Sequence, residues 1–210
     1  MLIPYSTLIK KYNICPTGIL HIGANTGQEV NDYYNNGVNK TLWIEADPSL
    51  MTSLDKNIKS FKNAIAINAC LTDKDNETVE FNISNNEGQS SSILELQTHK
   101  TAHPEVHYVK KIKLNSIRLD SLFKENDLNI NEYEFVNIDI QGAELLCLKG
   151  FGDLLNSVKY IYLEVNDDYL YSNCALYPEI VEYLKTYGFE PKEKKMAGNF
   201  GWGDAFFIKM

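Results

Sequence analysis

Two short segments near the start of the chain contain residues suited to holding a nucleoside. The first is the glycine turn from Gly23 to Gly27, which directly follows the apolar run Ile19–Ile22. Because glycine has no side chain, the backbone of such a turn can approach a ligand closely. The second is Glu45, about 20 residues further on at the end of another apolar run, where an acid can accept hydrogen bonds from both ribose hydroxyls. Together the two segments predict a nucleoside site.

The glycine turn departs from the pattern that binds a dinucleotide. That pattern has glycine at its first, third and sixth positions, whereas this chain has Asn25 at the third and Gln28 at the sixth. Such a turn is poorly suited to seating a pyrophosphate at a helix N-terminus. It favours a ligand with a ribose and an amino acid tail but no phosphate. An ordinary strand-to-helix turn is the alternative, and the presence of Glu45 favours the nucleoside site.

Acidic and amide side chains also follow the later predicted strands. Asp73 follows the third strand, where it is placed to contact an adenine amino group or to act as an ordinary turn aspartate. Asp139 ends a strongly apolar strand, and an acid there needs a partner, so it can hold an ammonium group or take a proton from a substrate. Glu144 lies one helical turn beyond it and can instead cap a helix N-terminus. Glu164 and Asn166 end the next strand and are candidates for substrate contact.

Three histidines have a spacing that can form a metal site on a helix, but their surroundings argue against one. His99, His103 and His107 recur every four residues and would share one face of a continuous helix. Pro104 interrupts such a helix and no cysteine lies nearby, so we predict no metal there. His21 lies inside the first predicted strand, where a core histidine is the alternative to a ligand-binding one.

Strand and helix signals alternate along most of the chain. The predicted strands are Ile19–Ile22, Leu42–Ile44, Ala64–Leu71, Phe135–Ile140, Lys159–Val165 and Asp204–Lys209. The helices between them are predicted to begin at Thr26 (a capping box with Glu29), at Asp47-Pro48, at Leu119 with Asp120 as cap, at Ala143 and at Pro178. This alternation predicts an open α/β sheet with helices on both faces.

The segment from Thr72 to Arg118 breaks the alternation and is more polar. Two stretches within it, around Phe81 and around Ile112, alternate apolar and polar residues and predict an antiparallel pair that extends the sheet. We therefore expect one domain over residues 1–210, with an N-terminal extension at 1–17 and an insertion at about 72–118.

Composition excludes several classes of partner. The 210 residues carry a net charge of −8, which opposes binding to a nucleic-acid backbone. No apolar run approaches the roughly 20 residues that cross a bilayer, and the first residues do not resemble a signal peptide. The four cysteines form no Cys-x-x-Cys pair and are expected to stay reduced. We expect a cytoplasmic protein, and homo-oligomer formation is left open.

Several segments, in this order along the chain, carry a family resemblance: His21–Gly27, Trp43–Pro48, Ser90–Leu94, Arg118–Leu122, Val136–Glu144, Leu148–Gly150, Ile161–Val165 and Gly201–Ala205. They resemble the FkbM family of S-adenosylmethionine-dependent methyltransferases, and the part from Asp139 to Glu144 is the most specific. The family often has aspartate at the position of His21, usually lysine at Asn137 and often glutamate at Gln141.

The resemblance implies a class I methyltransferase fold, a Rossmann-like sheet of seven mostly parallel strands with the last one antiparallel. It also implies S-adenosylmethionine as cofactor and O-methylation of a hydroxyl on a sugar or another small molecule. Asp139 is then the first candidate for a catalytic base and Glu144 the second, with Glu164 and Asn166 on the substrate side. The expected cofactor-binding residues are His21, Gly23, Ala24, Asn25, Gly27, Glu45, Ala46, Asp73 and Asp139.

Two other functions compete with this interpretation. N-methylation of a nucleobase predicts an Asn/Asp-Pro-Pro-aromatic motif after the fourth strand, and this chain has Asp139-Ile140-Gln141-Gly142 there. The other is a cofactor-binding or interaction module without turnover, which the altered residues His21 and Asn137 keep open.

Overall fold

The computed structural model describes residues 1–210 and contains ten strands in two sheets. The strands are β1 (Gly18–Ile22), β2 (Lys40–Glu45), β3 (Ala64–Asn68), β4 (Cys70–Leu71), β5 (Thr78–Ser84), β6 (Tyr108–Ile117), β7 (Phe135–Ile138), β8 (Tyr160–Asn166), β9 (Phe189–Met196) and β10 (Trp202–Lys209). Seven of them form the main sheet in the order β3-β2-β1-β7-β8-β10-β9, and the remaining three form a small sheet in the order β4-β6-β5.

Seven α-helices and two short 3-10 helices accompany the sheets. The α-helices are α1 (Tyr5–Tyr12), α2 (Val30–Asn35), α3 (Met51–Ile58), α4 (His99–Ala102), α5 (Leu119–Glu125), α6 (Glu144–Gly150) and α7 (Tyr177–Lys185). The 3-10 helices are Ile130–Glu132 and Gly152–Asn156. None of these helices has the length and apolar composition that crossing a bilayer requires.

The main sheet has the predicted α/β topology. Strands β1, β2, β3, β7 and β8 are parallel, whereas β10 pairs antiparallel with both β8 and β9. Strand β1 lies between β2 and β7, so the chain order reverses direction at β1 and leaves a crevice at the carboxyl ends of the strands. The expectation of seven mostly parallel strands with the last one antiparallel is confirmed.

Hydrophobic side chains cover both faces of this sheet. Because side chains alternate along a strand, Leu20 and Ile22 belong to a core of 25 buried residues, while Ile19 belongs to a second core of 14. Helix α1, which was not predicted within the N-terminal extension, contributes Tyr5 and Leu8 to the second core.

The predicted third strand is divided in two by the structure. The backbone N–H of Ala69 donates the last bond to β2, at the carbonyl of Glu45, and Cys70–Leu71 then turns away to pair in parallel with β6. The predicted antiparallel pair exists as β5 and β6, but it does not extend the main sheet. Together with β4 it makes a separate three-stranded sheet, and this corrects the expected sheet extension.

One predicted helix start and one predicted helix cap were also wrong. Helix α2 begins at Val30 rather than Thr26, because Gly27 has a φ of +74° that no α-helix accepts, and the Thr26–Glu29 capping box does not form. The side chain of Asn25 accepts the N–H of Thr26 instead. The expected cap of α5, Asp120, pairs with the guanidinium of Arg118, and Arg118 occupies the cap position itself.

The remaining elements differ from the predictions by smaller amounts. The carboxylate of Asp47 accepts the N–H of Ser49 at 2.8 Å and so caps a turn that precedes α3, which begins at Met51. Strand β9 was not predicted, because it lies at the edge of the sheet and only its first residue, Phe189, is fully buried.

Candidate functional site

A cavity of about 570 Å³ opens at the carboxyl ends of β1, β2, β7 and β8. Its size lies within the range of roughly 300–1,000 Å³ that is usual for small-molecule sites. The insertion between β4 and α5 covers one side of it, with Ser90, Ser91, Ile93 and His99 among the lining residues. The insertion therefore belongs to the site.

The glycine turn after β1 is fixed by its neighbours in the sheet. Gly23 has a φ of +80°, and a Cβ atom there would lie 1.7 Å from the backbone oxygen of Asp139. Glycine is required at this position because β7 passes so closely, which is a different reason from the ligand approach proposed from sequence. Gly23 and Asn25 both line the cavity, while Ala24 and Gly27 do not.

Glu45 lies at the end of β2 on the edge of the cavity and is only 7% exposed. Its Oε2 accepts the backbone N–H of Asn25 at 2.7 Å, and its Oε1 accepts that of Asp47 at the same distance. Burial raises the pKa of this carboxyl, and the two N–H donors oppose the rise. Each oxygen keeps lone pairs for a further donor. Ala46, the next residue, also lines the cavity.

Asp139 and Glu164 lie on the opposite side of the crevice and share one amide. The Nε2 of Gln141 donates to Asp139 Oδ1 at 2.6 Å and to Glu164 Oε2 at 2.7 Å. Burial and the carboxylate of Asp204 raise the pKa of Asp139 to about 6. Burial and the charge of Asp139 hold the pKa of Glu164 well above its ordinary value. The two acids therefore differ in how readily they ionise.

Asp204 is a cavity residue that the sequence analysis did not single out. It lies on β10, where its Oδ2 accepts the hydroxyl of Tyr162 and the backbone N–H of Leu2. Burial raises the pKa of Asp204, and the bond from Tyr162 opposes the rise. Asp204 lies in the segment Gly201–Ala205, which resembles the family, but the sequence did not indicate that this acid lines the crevice.

His21 and Asn137 form a buried polar group beneath the cavity. The ring of His21 stacks on that of Trp43 with centroids 4.8 Å apart, and its Nδ1 lies 3.1 Å from the hydroxyl of Tyr33. The amide of Asn137 donates to the same hydroxyl at 3.0 Å. Burial lowers the pKa of His21 to about 4, so the ring is neutral at physiological pH. His21 is therefore buried in the core and also lines the cavity, so both alternatives predicted from the sequence apply to it.

Glu144 does not line the cavity. Its Oε1 accepts the backbone N–H groups of Ile140 and Gly142, each at 3.1 Å, and the side chain is 1% exposed. Burial raises the pKa of Glu144 to about 7. The carboxyl thus fixes the loop between β7 and α6, which carries Gln141 in a left-handed conformation with a φ of 57°.

Two further residues selected from the sequence lie away from the cavity wall. Asp73 is not among the lining residues, and its backbone oxygen accepts a bond from Arg118. Asn166 is completely buried at the end of β8, and neither atom of its amide has a hydrogen-bond partner. The structure therefore does not bring these two residues together with Glu45 and Asp139.

The far end of the cavity is lined by aromatic side chains that the sequence analysis missed as a group. They are His99 and His103 from the insertion, Tyr171 from the loop after β8, and Trp202 from β10. The rings of His99 and His103 lie 5.0 Å apart, and those of His99 and Tyr171 lie 5.4 Å apart. The spacing of these histidines was considered in the sequence only for metal binding, and their place in the cavity wall was not predicted.

Comparison with known proteins places the chain among methyltransferases. Residues 21–191 match the family described as the methyltransferase FkbM domain. The chain is similar to the 2-O-methyltransferase NoeI of Sinorhizobium fredii, with 24% identity over 176 residues, which is 80% of this chain and 71% of that protein.

Two solved structures show the same fold at low identity. A ribosomal protein L11 methylase from Lactobacillus delbrueckii subsp. bulgaricus superposes with a TM-score of 0.53 at 13% identity, covering 96% of this chain and 75% of that one. Magnesium protoporphyrin IX methyltransferase from Synechocystis superposes with a TM-score of 0.54 at 10% identity, covering 98% of this chain and 76% of that one.

Proposed function

The chain belongs to the FkbM family of S-adenosylmethionine-dependent methyltransferases, and we propose that it methylates a hydroxyl group on a sugar or another small molecule. The observation that carries the proposal is the position of Glu45 beside the glycine turn, facing a cavity that Asp139 borders on its other side.

The residues around the cavity fit the cofactor in both shape and chemistry. A carboxylate such as Glu45 accepts hydrogen bonds from the two ribose hydroxyls, and Asp139 offers a negative charge to the ammonium of the methionine part. Apolar side chains of Ile44, Leu71 and Ile140 line the cavity and suit a purine ring. Gly23, Asn25, Ala46 and His21 complete the proposed cofactor-binding set. Ala24, Gly27 and Asp73 do not line the cavity, and their contact with the cofactor remains a prediction from the sequence.

The cofactor supplies an activated methyl group on a sulfonium, so the chain's own residues need to align a nucleophile and exclude water. The insertion covers one side of the crevice and thereby limits the access of water from that side. Gln141 fixes the carboxylates of Asp139 and Glu164 against each other, and Glu144 fixes the loop that carries Gln141. A base within reach of the acceptor contributes further to the rate.

Asp139 is our first candidate for that base among the predicted residues, because it borders the cavity and its raised pKa brings it near neutral pH. Glu144 is the second candidate. Since its carboxyl is held by backbone N–H groups, we assign it to positioning the loop. Glu164 is proposed to contact the acceptor directly, and Asn166 to support the end of β8 behind it.

A hydroxyl acceptor agrees with the chemistry of the crevice. Asp139, Glu164 and Asp204 present mainly hydrogen-bond acceptors, so a ligand rich in hydroxyl donors satisfies them. The loop after β7 also lacks the proline-aromatic motif that grips a planar amine. The name of the relative NoeI, a 2-O-methyltransferase, points to the same class of reaction.

A non-catalytic cofactor-binding module is the second candidate function, because His21 and Asn137 differ from the residues that the family commonly has. One experiment separates the two. Purified protein is incubated with radiolabelled S-adenosylmethionine and a panel of neutral glycosides and small alcohols, while calorimetry measures binding of S-adenosylhomocysteine. Binding with methyl transfer supports the enzyme, whereas binding without transfer to any acceptor supports the module.

A further inference from the structure

His99 is a buried side chain whose Nδ1 atom has no partner within the protein. It is 5% exposed and lines the cavity, and its Nδ1 is enclosed without a hydrogen bond. Leaving a polar atom buried and unpaired costs free energy. Because the side chain of His99 lines the cavity, its imidazole is a candidate for pairing with a bound ligand.

The position of His99 is set by a strong connection between the insertion and the loop after β8. The backbone N–H groups of Gln97 and His99 both donate to the carbonyl of Leu170, at 2.7 and 3.3 Å. Leu96 also forms a β-bridge with Tyr171. Because these bonds hold α4 against that loop, His99 is a fixed part of the far wall of the cavity.

Tyr171 links this wall to the acids at the centre of the site. Its ring contacts His99, with centroids 5.4 Å apart, and its hydroxyl donates to the Oε1 of Gln141. Gln141 in turn donates to both Asp139 and Glu164. The far wall is thus connected through Gln141 to these two acids.

Each of the acids near the centre has another role that competes with receiving a proton. Glu144 is held by two backbone N–H groups away from the cavity, and the ionised form of Asp139 is the one that suits an ammonium group. Burial and the charge of Asp139 keep the pKa of Glu164 well above its ordinary value, and its Oε2 already accepts a hydrogen bond from Gln141. His99 has the opposite behaviour, since burial and the neighbouring His103 lower its pKa and leave the imidazole free to accept a proton.

The far end of the cavity also limits the kind of acceptor. The ring of Trp202 is half-buried at the cavity wall and offers an apolar face, which suits the C–H face of a sugar ring. The acidic side chains of Asp204 and Glu105 line the same cavity and disfavour an anion. A neutral polyol ring meets both conditions.

We propose, on the basis of the function proposed above, that His99 is a catalytic base that receives the hydroxyl proton of a neutral sugar ring bound against Trp202. The hydroxyl oxygen forms the new bond to the methyl carbon as its O–H bond breaks and the proton passes to a ring nitrogen of His99. The bond between the methyl carbon and sulfur breaks, and its electron pair stays on sulfur. Charge balances, because the positive charge on sulfur is replaced by one on the imidazole.

The kinetic test compares His99→Gln with His107→Gln, using methyl glycosides of neutral hexoses and 6-deoxyhexoses as probes and labelled S-adenosylmethionine as donor. His107 is exposed and does not line the cavity, so it is a matched control. We expect wild type and His107→Gln to methylate at least one glycoside. We expect His99→Gln to lower kcat by about 100-fold or more, the usual contribution of general base catalysis, while the Kd for S-adenosylhomocysteine stays within about twofold. If His99→Gln does not fold, His99→Asn serves in its place.

A second readout does not depend on turnover. The protein has four histidines, so the imidazole proton resonances can be assigned by single substitutions and followed by NMR. When the complex with S-adenosylhomocysteine is titrated with the glycoside that is methylated, the His99 resonance is expected to shift and the His107 resonance to stay.

The outcomes separate this inference from the function it rests on. Wild-type kcat in a folded His99→Gln variant, or an unmoved His99 resonance at a saturating glycoside concentration, overturns the role of His99 and leaves methyl transfer intact. Binding of S-adenosylhomocysteine with no transfer to any glycoside overturns the sugar acceptor and this inference together. Failure to bind S-adenosylhomocysteine overturns the proposed function itself.

Discussion

The carboxylate of Glu45 accepts the backbone N–H of Asn25 at 2.7 Å, and this bond joins the acid at the end of β2 to the turn after β1. A second bond from the N–H of Asp47 fixes the other oxygen. The side chain is therefore held in one orientation by its own backbone neighbours. A ligand that uses Glu45 does not have to order it, and preorganisation of this kind improves affinity.

Replacing Glu45 by alanine is expected to weaken binding of S-adenosylmethionine by about 10- to 100-fold, because hydrogen bonds to a charged group contribute about 1.5–3 kcal/mol. Calorimetry measures the Kd, and a thermal melt checks that the variant is folded. Glu182→Ala, an exposed substitution on α7, is the matched control and should bind like wild type. Equal affinities of the two variants would rule out Glu45 as the ribose acceptor.

Asp139→Asn is expected to leave the fold intact and to lower methyl transfer, since the amide cannot supply the negative charge. In the wild-type protein the same loss should appear as the pH falls below about 6, where Asp139 takes up a proton. Measurement of kcat and cofactor Kd together identifies the cause. A weaker Kd indicates ammonium binding, and a lower kcat alone indicates proton removal. Full activity of Asp139→Asn would end its candidacy for both roles.

Gly23→Ala is expected to destabilise the protein far more than Gly37→Ala. Both glycines have a positive φ, so both variants lose about 1–2 kcal/mol from backbone strain. Only Gly23 would also place a Cβ atom against the backbone of Asp139, whereas a Cβ at Gly37 meets nothing within 4 Å. Urea unfolding at equilibrium measures the difference. Similar midpoints for the two variants would show that β7 does not constrain the turn.

Asp139 and Glu144 are expected to make the ligand-free protein less stable as the pH rises from 5 to 8, whereas His21, whose pKa is lowered to about 4, acts in the opposite direction. Burial raises the pKa of Asp139 from 3.8 to about 6 and that of Glu144 from 4.5 to about 7. A carboxyl with a raised pKa binds its proton more tightly when folded. Its stabilising contribution is therefore complete below the unfolded pKa and is lost as the pH passes through 6 and 7.

The size of this effect is about 2 kcal/mol for each carboxyl, since one pKa unit corresponds to 1.36 kcal/mol. Denaturant unfolding at pH 5 and pH 8 measures it. Asp139→Asn and Glu144→Gln should each reduce the difference between the two pH values. The assignment of these two groups would be contradicted if the wild-type protein were more stable at pH 8 than at pH 5 and both variants showed the same difference between the two pH values.

The sheet and its main acids could be predicted from the sequence. Parallel strands place their carboxyl ends on one edge, so Glu45, Asp139 and Glu164 were expected to meet once the strands were recognised. The apolar runs that form β1, β2, β7 and β8 were long and regular enough to recognise. For the same reason Gly23 was correctly placed in the turn. Glycine is required there because the backbone of Asp139 leaves no room for a Cβ atom.

The far wall of the cavity could not be predicted in this way. His99 meets Tyr171 only because the insertion pairs with the loop after β8, and no local pattern encodes that pairing. Tyr162 and Asp204 meet across antiparallel neighbours 42 residues apart. The predicted third strand divides at Ala69 because the residues before it pair with β2 and those after it pair with β6. Each of these contacts is set by tertiary packing.

The most direct test of the account is a crystal structure of the protein with S-adenosylhomocysteine. We expect the compound in the cavity, with its ribose hydroxyls within hydrogen-bond distance of the Glu45 carboxylate and its ammonium beside Asp139. Density for the compound elsewhere, or a ribose that does not contact Glu45, would contradict it.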